Sequence, residues 1–171
     1  VLANNLIPWT DTTQDAYLQS LIQCLHSEFT AVSQPAAQII GMSLAIIQPD
    51  TENPCLRELN DLLLKLKEKQ KVKEFIDILY GVHKSYPHIV DKFFMTVGSH
   101  IAILSGTPKR ICLEMFLSRM DYFESEICKE IQAMGLKKLM KGKEYQLLAL
   151  HILNKALPKM VPGDIATFMD E

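Results

Sequence analysis

Nothing in this 171-residue sequence assembles a recognisable catalytic or metal-binding motif. It has no HExxH, no Walker-type glycine loop, no GxGxxG, no GxSxG and no Cys/His ligand spacing, which removes the common zinc-protease, nucleotide-binding and hydrolase chemistries. Cys24 and His26 are the nearest Cys/His pair, but residues two apart on a helix point to different faces. His83, His88, His100 and His151 stand singly, as satisfied or solvated histidines do. The four cysteines, Cys24, Cys55, Cys112 and Cys128, include no CxxC pair and are too sparse for a disulfide framework, so reduced, buried thiols in an intracellular protein are expected. An excess of one charge is missing too. With 18 basic and 20 acidic residues the net charge is −2, so any contact with a polyanion has to come from a local patch. No apolar run approaches the roughly 20 residues of a membrane span, and Val1-Leu2-Ala3 is neither a signal peptide nor an initiator methionine; a soluble protein is expected. The chain opens inside apolar sequence and closes at Ile165 to Met169, where an amphipathic segment has only started, as a piece cut from a longer protein would.

What the sequence does have is helical periodicity. Apolar residues make up 48% and charged residues 22%, enough to bury a core. Strand-like alternation is absent, and the apolar residues recur at steps of three and four. A first helix is expected from about Thr12 to Phe29, capped by Asp11 or Thr12, and a second from about Ser33 to Ile47 with Pro35 in its first turn. Asn53 and Pro54 read as the cap and first position of a third, carrying Leu56, Leu59, Leu63 and Leu66. A fourth carries Val72, Phe75, Ile76, Leu79 and Val82 and stops at Tyr86-Pro87. A fifth runs as one helix through Ile89, Val90, Phe93, Phe94, Val97, Ile101 and Leu104. A sixth holds Ile111, Cys112, Met115, Phe116 and Met120, and a seventh from about Tyr122 holds Ile127, Ile131 and Met134 up to Gly135. The eighth, from about Lys143, is apolar nearly all round through Leu147, Leu148, Leu150, Ile152, Leu153 and Leu157, so it is expected to be covered on more than one side. Every second helix starts about 34–41 residues after the last, near the period of helix-pair repeats. The fold class is therefore all-α, with eight to nine helices in antiparallel pairs stacked as an α-solenoid of the HEAT or armadillo kind over residues 1–171; a globular bundle is the rival.

Two basic clusters flank turns: Lys65, Lys67, Lys69, Lys71 and Lys73, and Lys137, Lys138, Lys141 and Lys143. A solvated rim is the ordinary reading of both. The functional reading is an electrostatic lining for duplex phosphate, with a protein partner as a third. Aromatic residues are not interleaved with these lysines for base stacking, so a nucleic-acid contact would be to the backbone without sequence preference. Lys137, Lys138, Lys141 and Lys143 are the candidate DNA-backbone contacts. Thr13-Gln14 and Ser33-Gln34 fit kinases that read a following glutamine, and Thr13 and Ser33 are candidate phosphorylation sites, although each falls where a helix start also explains a Thr or Ser as a cap.

Beyond periodicity, particular residues carry a resemblance. Leu2 to Trp9 (LANNLIPW) opens it, followed in order by Phe75 to Met95 (FIDILYGVHKSYPHIVDKFFM), Lys109 to Met120 (KRICLEMFLSRM, with Arg119) and Ile152 to Val161 (ILNKALPKMV). In sequence and spacing these resemble the family of DNA-dependent protein kinase catalytic subunits, collinearly over essentially the whole chain. Asn5 stands where that family has an acidic residue, Trp9 where it has tyrosine, and the stretch from Glu124 to Lys143 matches poorly, marking a divergent relative. The resemblance implies a HEAT-repeat segment of the large circular cradle that precedes the kinase head, in a nuclear protein. It implies an intact serine/threonine kinase, recruited by the Ku heterodimer to double-stranded DNA ends for non-homologous end joining. The kinase motifs of that family are not in this sequence, so it implies no catalytic residue, cofactor, metal or small-molecule substrate for this segment, and no membrane contact. Neighbouring helical repeats, Ku and DNA ends are the implied partners; Thr13 and Ser33 do not match the family's regulatory autophosphorylation cluster. The rival function classes are a HEAT adaptor or transport scaffold that binds protein motifs in its groove, and a small α-helical enzyme, which would need converging titratable groups.

Overall fold

A computed structural model describes residues 11–50, 52–123 and 127–170, and within them the chain is all-α: ten α-helices joined by turns and 3-10 segments, with no strand among the described residues. It divides into two compact units, Val1–Tyr86 and Pro87–Glu171.

The first unit holds α1 (Asp11–Leu25), α2 (Thr30–Ile47), α3 (Pro54–Glu68) and α4 (Val72–His83). The third helix starts as its sequence requires. Asn53 Oδ1 accepts from the Cys55 and Leu56 backbone N–H groups at 3.0 and 3.3 Å, and Pro54 occupies the first turn, where its missing donor costs nothing. Replacing Asn53 with alanine is expected to cost about 1 kcal/mol in a denaturant melt of this unit. α1 packs on α2 and α3, and α4 on α2 and α3, so two successive helix pairs are stacked through α1 on α3 and α2 on α4. The buried sides are Leu18, Ile22 and Leu25 of α1, Ala36, Ala37, Ile40, Gly41 and Leu44 of α2, Leu59, Leu62 and Leu63 of α3, and Phe75, Ile76, Ile78, Leu79 and Val82 of α4.

Two boundaries differ from the sequence expectation. α1 ends at Leu25 and α2 begins at Thr30, because Phe29 takes an extended conformation. Its N–H bonds to Ser27 Oγ at 3.2 Å, while its own carbonyl accepts from Val32 and Ser33 at 2.9 and 3.1 Å. Ser33 is therefore the fourth residue of α2 and not its cap, and Pro35 lies in the second turn rather than the first. There Pro35 removes one helical donor, which the helix tolerates on its exposed side. α2 has no charged residue over its eighteen positions and by length and composition alone would reach across a membrane, a test that core helices of soluble proteins also pass.

The second unit opens with a 3-10 segment, Pro87–Phe93, and continues through α5 (Phe94–Ile103), α6 (Gly106–Arg119), α7 (Ile127–Ala133), α8 (Leu136–Lys141), α9 (Gln146–Ala156) and α10 (Pro162–Asp170). The single fifth helix expected from the sequence is thus divided at Phe93–Phe94: the tighter winding still buries Ile89, Val90 and Phe93. Phe94 stacks against Phe116 and Phe123, with ring centroids 4.5 and 4.2 Å away, and fixes α5 on α6. Gly135, in the left-handed region at φ 67°, ends α7 and lets a short extra helix, α8, begin where the sequence suggests a turn. Lys155 pairs with Asp121 at 2.6 Å, and Lys159 donates to the Met120 and Asp121 carbonyls at 3.3 and 3.0 Å, tying α9 and the turn after it to the end of α6.

α9 overturns the expectation that it is covered on more than one side. It buries Ala149, Ile152 and Ala156 against α6 and α8, and leaves Leu147 67% and Leu150 42% exposed.

Candidate nucleic-acid interface

The four lysines singled out from the sequence do not form one equivalent set. Lys137, Lys138 and Lys141 lie on α8 rather than at a turn, and Lys143 follows in the connection to α9. Lys137 is half-buried and used internally: its Nζ donates to the Met169 carbonyl at 2.6 Å and lies 5.7 Å from the centre of the Phe168 ring. A cation at the last turn of α10 compensates carbonyls that have no helical partner. Lys138, Lys141 and Lys143 are exposed, which leaves three lysines for an outside anion.

The other basic cluster is denser. Lys65, Lys67, Lys69, Lys71 and Lys73 are all exposed, and the connection between α3 and α4 has only residues 69–71. Its backbone is fixed by bonds from Lys69 N–H to Lys65 O, Gln70 N–H to Lys67 O and Lys71 N–H to Leu66 O, at 3.0, 3.0 and 2.9 Å, with Gln70 in the left-handed region at φ 55°. No described carboxylate lies within ion-pair distance of these five lysines. The half-buried Asp77 is raised by its burial, and Lys73 pulls it part of the way back.

The most buried charge is elsewhere. Arg119, 5% exposed, sends Nε to Asp91 Oδ1 at 2.6 Å and Nη2 to Asp91 Oδ2 at 2.8 Å, a two-pronged bond of the kind a planar guanidinium makes. His88 Nδ1 lies 3.1 Å from Nη2, and the Tyr122 ring centre lies 4.0 Å from the guanidinium carbon. The hydrogen bonds to Asp91 raise the Arg119 guanidinium further, against the opposing effect of burial. The clamp joins the 3-10 segment to the end of α6 and is structural. Sequence reading missed it, although a signal existed: Arg119 falls on the same helical stripe as Cys112, Met115 and Phe116.

Among the described residues no group of three or more His, Cys, Asp or Glu side chains is placed to hold a metal ion. Cys112 and Cys55 are buried and Cys24 is half-exposed, none of them joined in a disulfide; the side chain of Cys128 lies outside the described residues. Burial pushes the Cys112 thiol up to about 12. Native-state labelling at pH 8 is therefore expected to modify Cys24 well ahead of Cys112 and Cys55, which should react only after denaturation. Because the folded Cys112 value is raised, the stability it contributes is complete below about pH 9 and is lost as pH climbs toward 12; a Cys112→Ala variant should flatten that alkaline loss.

The family model described as "DNA-PKcs, CC5" matches residues 1–171. The chain belongs to that family. A DNA-dependent protein kinase catalytic subunit from Xenopus laevis is 29% identical over 177 residues, an alignment that covers 98% of this chain and 4% of the relative. The chain therefore spans about one twenty-fifth of that relative's length. Two of the segments that carry the DNA-PKcs resemblance, 75–95 and 109–120, supply Asp91 and Arg119, the two halves of the clamp. The opening segment, 2–9, and residues 124–126 of the divergent stretch lie outside the described residues. Of the candidate phosphorylation sites, Ser33 is half-buried in the first turn of α2. Thr13 is the third residue of α1, and its side chain, like those of Asp11 and Thr12, lies outside the described residues.

Proposed function

We propose that this chain is a non-catalytic scaffold segment of a giant serine/threonine kinase of the DNA-PKcs type, acting in the nucleus in the repair of double-strand breaks by end joining. In this reading its helix pairs continue a curved solenoid and hold DNA ends and protein partners, the Ku heterodimer among them, relative to a remote kinase head. The segment brings no cofactor of its own. The observation that carries the reading is the family match over all 171 residues, in a chain that spans 4% of its frog relative. Two features of the fold support it. In the first unit α1 lies on α3 and α2 on α4, the neighbour-to-neighbour stacking by which helix-pair repeats build a continuous core. Large apolar residues also remain exposed on α2 (Val32, Met42 and Ile46) and along α9 (Leu147 and Leu150), surfaces that further repeats would cover. No observation favours an adaptor unrelated to DNA repair.

The test is made in the full-length kinase. Leu147→Ser and Leu150→Ser together remove the apolar face of α9 while leaving its buried side intact. Phosphorylation of a peptide is then measured without DNA, with DNA ends, and with DNA ends and Ku. A scaffold segment predicts unchanged basal phosphorylation with weakened stimulation by DNA and Ku. Basal activity falling in step with stimulated activity, or stimulation indistinguishable from the parent, overturns the reading.

A further inference from the structure

The packing of the first unit gives no role to the five lysines at the α3–α4 turn. Lys65 and Lys67 end α3, Lys69 and Lys71 flank Gln70 in the connection, and Lys73 opens α4, all exposed on a hydrogen-bonded backbone. Between residues 65 and 74 they stand against two carboxylates, Glu68 and Glu74, in a chain whose overall charge is −2. Such a local excess acts over about one Debye length, roughly 8 Å at physiological salt, and is felt by a partner that touches the turn rather than by distant ions.

We propose that the α3–α4 turn binds the phosphate backbone of duplex nucleic acid, without sequence preference. This deepens the scaffold reading and rests on it, by placing a DNA contact on the first unit rather than on α8. Three features select the ligand. The cations are all lysines, compact point charges that can meet a run of phosphates in any register without the fixed bidentate geometry of a guanidinium. The turn presents no exposed aromatic or large aliphatic side chain, so it lacks the buried anchor on which protein interfaces depend, and lysine itself is depleted from such interfaces. Nor does it have an aromatic platform on which unpaired bases could stack, which removes single-strand recognition. α8 is the weaker candidate: Lys137 is engaged with Met169, which leaves three exposed lysines there against five at the α3–α4 turn.

The experiment uses the whole 171-residue chain and a fluorescent blunt duplex of about 30 base pairs across a salt series. If all five lysines meet phosphates, the slope of log affinity against log salt is about −4.5, a loss of about 500-fold between roughly 50 and 200 mM. A variant with Lys65, Lys67, Lys69, Lys71 and Lys73 changed to glutamine should lose that slope, while a second variant, with Lys138, Lys141 and Lys143 changed to glutamine, keeps it. Glutamine is a good helix former, and circular dichroism of both variants confirms the fold; if the fivefold variant misfolds, single changes at Lys69 and Lys71, in the connection, must each lower the slope by about one. Unchanged binding after neutralising the α3–α4 turn, or loss on neutralising α8 alone, overturns the proposal and leaves the scaffold reading intact. No binding at low salt, or competition by polyglutamate as strong as by unlabelled duplex of unrelated sequence, also overturns it. The scaffold reading answers separately, to the stimulation assay in the full-length kinase.

Discussion

Valine in place of Gly41 is expected to unfold the first unit or to leave it only marginally folded. A Cβ at Gly41 would lie 2.5 Å from the Val82 carbonyl oxygen and 3.0 Å from Val82 Cα, both backbone atoms of α4 that cannot rotate away. The facing position is as tight: a Cβ at Gly81 would meet the Ala37 Cβ at 2.7 Å. Ala37 and Gly41 on α2, with Gly81 on α4, let the two helices approach more closely than larger side chains allow, and this crossing joins the stacked pairs. Parting them would expose surface on residues now buried, Ile40 and Leu44 on α2 and Phe75 and Leu79 on α4, and disturb the Val82 carbonyl, which accepts from Tyr86 N–H at 2.9 Å at the end of the unit. Alanine at Gly41 gains up to about 1 kcal/mol in helix propensity and loses about 1–3 kcal/mol to overpacking, so a net loss is expected, and valine should be several times worse. Gly163 is the control, because nothing lies within 4 Å of a Cβ placed there and its backbone is in the ordinary helical region. Gly163→Ala should be neutral or slightly stabilising. Urea denaturation of the three variants decides the point: a Gly41→Ala chain as stable as the parent would mean that the helices do not cross this closely.

The second large effect is expected at the clamp, and its asymmetry is the informative part. Arg119 is almost wholly buried, whereas the Asp91 side chain keeps 37% of its surface in contact with solvent. Removing the acid strands a cation in a nearly dry site, while removing the cation leaves an acid that water can still reach. Asp91→Ala is therefore expected to cost about 3–4 kcal/mol and Arg119→Met about 2 kcal/mol, with the double variant costing less than the sum. Arg119→Lys should recover only part of the loss, since one ammonium cannot make both bonds to the carboxylate. Denaturant melts of the four variants provide the cycle. Equal costs for the two single changes, or strict additivity, would show that the pair is not coupled as its geometry requires.

Much of the secondary structure was legible because it depends on local rules. Asn53-Pro54 marked the start of α3, since a capping oxygen and a proline at the first position act on neighbours two or three residues away. The apolar stripe of α4 appeared as buried Phe75, Ile76, Leu79 and Val82, because one helical face is set by spacing alone. The family resemblance was legible for a different reason, the order of several moderately specific segments. Of the interface, the sequence showed where lysines cluster but not which of them are already engaged.

The sequence by itself thus determined the helical class, most helix positions, the DNA-PKcs family and the two basic clusters. Tertiary structure decided what depends on contacts between residues far apart in the chain. It used Lys137 on the end of α10, paired Arg119 with Asp91 twenty-eight residues away, and left Leu147 and Leu150 of α9 outward while burying its alanines. It also set the approach of α2 to α4 that only glycine permits at Gly41. Periodicity tells which face of a helix is apolar, but whether that face is covered, and how closely, depends on where the chain places the next helix.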